Sequence, residues 1–174
     1  SGCGKSTLLR CINGLIPQFY EGELKGFCRL NGQDTAGLRI GEIGELAASV
    51  FQDPRSQFFT VNSSNEVAFG LENHGLPQDE IRRRVDEAFR IIHLERLKDR
   101  NIYALSSGER QRISIARVIM KDAPVIILDE STANVDPENE KELMEAVSEL
   151  THDKTVIMIA HRLSTIVNAD RIFV

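Results

Sequence analysis

Cysteine is scarce in this 174-residue sequence: Cys3, Cys11 and Cys28 are the whole complement, and none follows Cys28. The three lack metal-ligand spacing and do not suggest a disulfide framework, which suits a reducing cytosol. Long apolar runs are missing too. No stretch approaches the roughly 20 residues that a helix needs to cross a bilayer, so any membrane attachment would come through a partner or through chain outside these residues. Positive charge is in the minority, with 21 Lys and Arg against 26 Asp and Glu and a net charge of -5. That balance argues against a general nucleic-acid binder, whose phosphate contacts need a basic surface. There are no internal repeats and no low-complexity tracts. What remains, 41% hydrophobic and 27% charged, is the ordinary composition of one globular domain with a sizeable core.

The informative residues begin at once. SGCGKST, Ser1 to Thr7, ends as a phosphate-binding loop ends, with Gly4, Lys5 and Ser6 followed by the apolar Leu8, Leu9 and Ile12. The loop's opening Gly and the strand that should feed it are expected before Ser1, so the sequence reads as N-terminally truncated. An unpaired edge in a parallel sheet exposes backbone and apolar surface, and the piece alone is expected to be poorly soluble or only weakly active. Successive backbone N–H groups at the positive end of a helix can surround phosphates where larger side chains would collide. In such a loop Lys5 would reach the β- and γ-phosphates, the Ser6 hydroxyl would ligate Mg²⁺, and Thr7 could donate to the α-phosphate. A bare Gly-Lys-Ser is equally a solvated turn, so the companions downstream decide.

The strongest companion is VIILDE, Val125 to Glu130, a β-branched apolar run ending in two acids, as a buried parallel strand would. Asp129 reads as the acid that holds Mg²⁺ and Glu130 as the base that polarises an attacking water. Alone, such a strand terminus is commonplace; its order after the phosphate loop gives it meaning.

The set SGCGKST, FQDP, LSSGERQ, VIILDE, NVDP and IAHR, in that order over nearly the whole chain, resembles the nucleotide-binding domain of ATP-binding cassette (ABC) transporters. The resemblance implies ATP and Mg²⁺ as ligands, with Ser1, Gly2, Cys3, Gly4, Lys5, Ser6 and Thr7 forming the phosphate loop. It places Leu105, Ser106, Ser107, Gly108 and Glu109 on the family signature Leu-Ser-Gly-Gly-Gln, with Ser107 in place of the first Gly and Glu109 in place of Gln. Ser106 and Gly108 then stand at a helix N-terminus facing a γ-phosphate held by a second ATPase subunit. On residue chemistry alone the same stretch is an ordinary helix cap. The resemblance makes Gln52 the Q-loop amide near metal and attacking water, Asp136 a dimer-contact residue, and His161 the histidine that contacts the γ-phosphate. Read without it, Gln52 is a polar turn before Pro54, Asp136 an N-cap before Pro137, and His161 a structural strand-end histidine. Implied partners are a transmembrane subunit or fused membrane domain and a second ATPase subunit, at the cytoplasmic face of a membrane.

Pattern supplies the organisation. A helix is expected from about Ser6 to Asn13, stopped by Gly14 and Pro17. Short strands and a turn are expected over Glu23 to Leu30 with Asn31-Gly32, and a strand over Ala47 to Phe51. Helices are expected at Val67 to Asn73, and along Ile81, Val85, Phe89 and Ile92, with Arg82, Arg83 and Arg84 on a solvated face. After the signature helix, strand Val125 to Leu128, a helix from about Pro137 to Leu150 and strand Thr155 to Ala160 alternate. The expected fold is therefore α/β, a mostly parallel sheet flanked by helices. One domain over 1–174 is expected, with 1–52 and 104–174 as nucleotide-binding core and 53–103 as helical subdomain.

NGLIPQFYEGEL, FQDPRSQFFTVNSSNEVAFGLEN and LSSGERQ resemble ATPases of energy-coupling-factor importers of vitamins or metal cations, whereas ISIARVIMKDAPVIILDESTANVDPENE and TVIMIAHRLSTIVNADRIFV resemble exporter ATPases. An ordinary divergent member and a joining of two genes near Leu105 to Arg112 both account for this. Three function classes follow: the motor of a transporter, a soluble ABC-type ATPase of DNA repair or translation, and a non-catalytic remnant.

Overall fold

Strand pairing organises the chain. In the computed structural model, described for residues 3–51, 57–129, 144–145, 147–148, 151–160 and 169–173, three strands form a parallel sheet: β3 (Ala47–Val50), β4 (Val125–Asp129) and β5 (Thr155–Ile159). β4 is central, with Ala47 beside Val125 on one side and Thr155 on the other. Its residues alternate between two cores, as strand geometry requires. Ile126 and Leu128 join Ala48, Val50 and Val147 on one face, while Val125 and Ile127 join Leu9, Ile43 and Ile159 on the other. Both faces of β4 are covered, which explains why its sequence is a continuous apolar run rather than an alternating one.

Before the sheet come α1 (Lys5–Ile12), a single turn α2 (Leu15–Gln18), the two-residue strands β1 (Arg29–Leu30) and β2 (Gln33–Asp34), and α3 (Ile40–Leu46). α1 packs on the sheet through Leu9, and Gly14 (φ 75°) lets the chain turn away after it. The Asn31-Gly32 turn forms as expected, both residues having positive φ (48° and 79°), the signature of a two-residue hairpin. Residues 23–28, expected to extend that hairpin, form no strand. α3 was not foreseen; Glu42 stabilises its start by accepting the Arg39 backbone N–H at 2.8 Å.

The connection from β3 to β4 is helical: α4 (Ser63–Asn73), α5 (Gln78–Ile91) and α6 (Ser107–Met120). α4 begins four residues before its expected start because Asn62 caps it, its side-chain oxygen accepting from Ser64 and Asn65 N–H at 2.9 and 3.2 Å. The predicted α5 stripe is inward: Ile81, Val85, Phe89 and Ile92 are buried with Val67, Leu71, Leu94 and Leu105. Arg83 and Arg84 lie on the solvated side, paired with Glu80 at 2.8 and 2.7 Å.

α6 joins two cores. Ile113 and Ala116 belong to the helical core, whereas Ile115, Val118 and Ile119 pack on the sheet with Ile126. The strand and helix expected after Val125 divide: β4 and β5 form as read, but most of 137–150 lies outside the described residues. The expected parallel α/β sheet flanked by helices is the fold observed.

Candidate functional site

Parallel strands place their C-terminal ends at one edge, and ligands of open α/β sheets bind outside that edge. Val50, Asp129 and Ile159 end the three strands there, with Asp129 beside Ile159 in register. In sequence Glu130 follows directly, and Gln52 and His161 come two residues after β3 and β5. These three, with Ser1, Gly2 and Asp136, lie outside the described residues.

Cys3 to Thr7 form the N-terminus of α1 and its approach. Gly4 adopts φ 88°, and a Cβ built there would meet nothing within 4 Å, so the backbone is open to a large ligand. The first helical bond runs from Leu8 N–H to the Gly4 carbonyl (2.9 Å), leaving the N–H groups of Lys5, Ser6 and Thr7 ahead of it. Gly4 supplies no capping side chain, and the first turn holds no acid. Such an uncapped positive end suits an anion. Lys5 Nζ lies 3.2 Å from Cys3 Sγ; this ammonium lowers the thiol pKa below its ordinary value by hydrogen bond and then by charge. A cation held ahead of an open helix end suits phosphate. Ser6 and Asp129 offer hard oxygen donors, the type Mg²⁺ prefers. Among the described residues no group of three or more His, Cys, Asp and Glu could hold a metal alone. Mg²⁺ does not need one, because it binds through one or two carboxylates plus water and phosphate oxygens.

The signature residues start α6. Ser106 is the N-cap: its Oγ accepts Glu109 N–H at 3.3 Å, and Glu109 Oε2 accepts Ser106 N–H at 2.8 Å, a closed capping box. The bond from Ser106 N–H does most to hold the Glu109 carboxyl below the usual carboxylate range, and Arg96 at 3.8 Å assists. Both readings of this stretch meet here, since the cap forms at the very helix end that would face a phosphate. Gly108 has nothing within 4 Å of a Cβ position, so the surface beside the cap is open. α6 holds its cap about 21 Å from its far end, at 1.5 Å per residue.

Sequence reasoning missed a buried charge cluster. Glu66 on α4 is fully buried; its Oε2 accepts Phe59 N–H (3.0 Å), Thr60 N–H (2.9 Å) and Thr60 Oγ–H (3.1 Å), while its Oε1 accepts Arg117 Nη1 at 2.5 Å. Arg117 of α6 also donates to the Gln57 carbonyl. A separation of 51 residues left no local signal for this pairing.

Comparison with known proteins agrees with this architecture. A family profile described as ABC transporter matches residues 1–133. A protein of Treponema denticola, provisionally named an ABC transporter ATP-binding protein, is 43% identical over 164 residues, covering 94% of this chain and 33% of its own length. The chain thus spans about a third of such curated relatives. The solved structure of cbiO1 from Clostridium perfringens, part of the ABC transporter complex cbiONQ, is similar with a TM-score of 0.77 and 36% identity, covering 91% of this chain and 63% of that one. A bacterial Atm1-family ABC exporter with ATP bound aligns with a TM-score of 0.79 and 29% identity, over 98% of this chain and 29% of the exporter.

Proposed function

This chain belongs to the ABC transporter family, and on that premise we propose that it is the ATP-binding and ATP-hydrolysing part of a transporter that powers movement of a substrate across a membrane. The observation that carries this reading is the uncapped, acid-free N-terminus of α1, with Gly4 open and Lys5 beside it. Lys5 and the first-turn N–H groups would hold the β- and γ-phosphates of ATP. Ser6 and Asp129 would hold Mg²⁺, which when bound neutralises charge developing on the phosphate oxygens. Glu130 would take a proton from the attacking water, Gln52 would orient it, and His161 would contact the γ-phosphate. Asp129 ends β4 at the edge where such a site belongs, and Glu130 is the next residue in sequence.

Ser106, Ser107, Gly108 and Glu109, at the end of α6, would face the nucleotide of a second subunit, with Asp136 at that contact. The groups that support this are the Ser107 and Gly108 N–H groups, which lie outside the capping box at the start of α6 and can face a partner's phosphate. In this reading residues 53–103 are the helical subdomain and 1–52 with 104–174 the nucleotide-binding core, lying at the cytoplasmic face of a membrane beside a transmembrane subunit or fused membrane domain. Among the described residues no helix is long and apolar enough to cross a membrane.

For the transporter type we favour energy-coupling-factor import of a vitamin or metal cation, on the N-terminal resemblance and the likeness to cbiO1 at 36% identity. The exporter reading rests on the likeness to the Atm1-family exporter over 98% of this chain. Sequencing the whole gene separates them: membrane-spanning segments fused upstream support the exporter, a free-standing or tandem ATPase the importer. The catalytic proposal is tested on the whole protein by Glu130→Gln. Turnover should fall by at least roughly a hundredfold with ATP binding retained, as for loss of a general base. Unchanged turnover removes Glu130 from that role.

A further inference from the structure

The buried Glu66–Arg117 cluster stands where the chain returns from the Gln52 segment, and none of the roles proposed so far uses it. Gln57, five residues after Gln52, gives its backbone carbonyl to Arg117, and Phe59 and Thr60, two and three residues further on, give their N–H groups to Glu66. The Arg117 guanidinium also lies 5.9 Å from the centre of the Phe59 ring. One carboxylate and one guanidinium therefore fasten residues 57–60 just ahead of α4. Arg117 sits ten residues after Ser107 on α6, about 15 Å along the same rigid helix. At the opposite end of that helix stands the Ser106 cap.

We propose that Glu66 and Arg117 are a positioning pair, locking residues 57–60 to α6 so that the chain returning from Gln52 is tied to the helix that carries the Ser106–Gly108 face during ATP hydrolysis. This rests on the function proposed above. Charge is what suits the pair to the task. A neutral side chain could match the packing, but charge-assisted bonds to several backbone N–H groups at once are stronger and more directional. Burial strengthens them further, Glu66 being 0% and Arg117 12% exposed, since screening by solvent is small there. Among the described residues, Gln57 Oε1 and, on α6, Gln111 Nε2 and Ser114 Oγ are also buried without a hydrogen-bond partner.

Neither residue touches the reacting atoms in this proposal, so its loss should impair turnover while sparing nucleotide binding. The test uses the whole protein in its membrane complex. Wild type is measured first; if it does not hydrolyse ATP, the proposed function and this inference fall together. The double variant Glu66→Gln with Arg117→Met removes both charges, so neither is left buried and unpaired. It should melt cooperatively and bind trinitrophenyl-ATP within about twofold of wild type, with kcat lower by roughly tenfold to a hundredfold, the scale of a small misplacement away from the chemistry. Arg117→Lys, which keeps the charge but not the forked guanidinium, should fall between the two. Wild-type kcat in the double variant would overturn the inference and leave the function standing. So would loss of turnover and nucleotide binding together in proportion to lost folded protein, because the pair would then only hold the fold.

Discussion

Two helix starts in this chain carry candidate phosphate chemistry, and they are built in opposite ways. α1 begins at Gly4 with no side-chain cap and no acid in its first turn, leaving its leading N–H groups to whatever anion arrives. α6 begins at Ser106 with a capping box closed by Glu109, so the Ser106 and Glu109 N–H groups are engaged within the chain while those of Ser107 and Gly108 lie outside the box. The first arrangement has no side-chain partner at its helix start, while the second already holds two of its donors by side chains. The difference fits the two proposed roles. A loop that holds its own subunit's nucleotide can remain open, whereas a surface that meets a partner's nucleotide benefits from being set beforehand.

The comparison breaks most severely at Lys5, the one cation in the first turn of the open helix. Lys5→Ala in the whole protein should lower ATP turnover by roughly a hundredfold or more, as loss of a positioned charge at a developing anion does. A melting temperature close to wild type would accompany it, because Lys5 is partly exposed and its one described polar contact is to Cys3 Sγ. Near-normal turnover would mean that α1 is not the phosphate site. Ser106→Ala attacks the other start and should behave differently. Loss of the cap should cost about 1 kcal/mol of stability, read by denaturant unfolding, whether or not ATP is present. A variant as stable as wild type would show that the box does not secure α6.

The two starts also differed in how far they could be read beforehand. Gly4, Lys5 and Asp129 announce themselves because their spacing or strand-end position reflects one chemistry. Ser106 with Glu109 three residues later carries a local cap signature, and the box forms as that spacing dictates. β4 and the α5 stripe were legible because apolar periodicity survives in the sequence whatever lies around it. α3 was not, since Gly41 and Gly44 weaken helix propensity over only seven residues, and its stability comes from Ile43 packing under Leu9 and Ile127. Glu66 and Arg117 were least legible of all. They are 51 residues apart, and each alone resembles a surface charge on an amphipathic helix. Only tertiary packing brings them together, and no local rule records it.

The smallest expected effect sharpens the comparison at Glu109. Its carboxyl is held below the ordinary range, first by Ser106 N–H, so the folded state keeps it ionised at pH values where the unfolded chain has begun to bind a proton. The bond's contribution is thus fully present above the unfolded carboxylate pKa of about 4.3 and is lost as pH falls through the depressed folded value. Glu109→Gln keeps an oxygen that can accept Ser106 N–H but removes the charge and its interaction with Arg96 at 3.8 Å. Wild type should therefore melt slightly above the variant near pH 7, with the gap closing through the acid range. A gap that persists unchanged at low pH would show that shape rather than charge makes this cap. α1, having no acid in its first turn, offers no corresponding carboxylate to titrate.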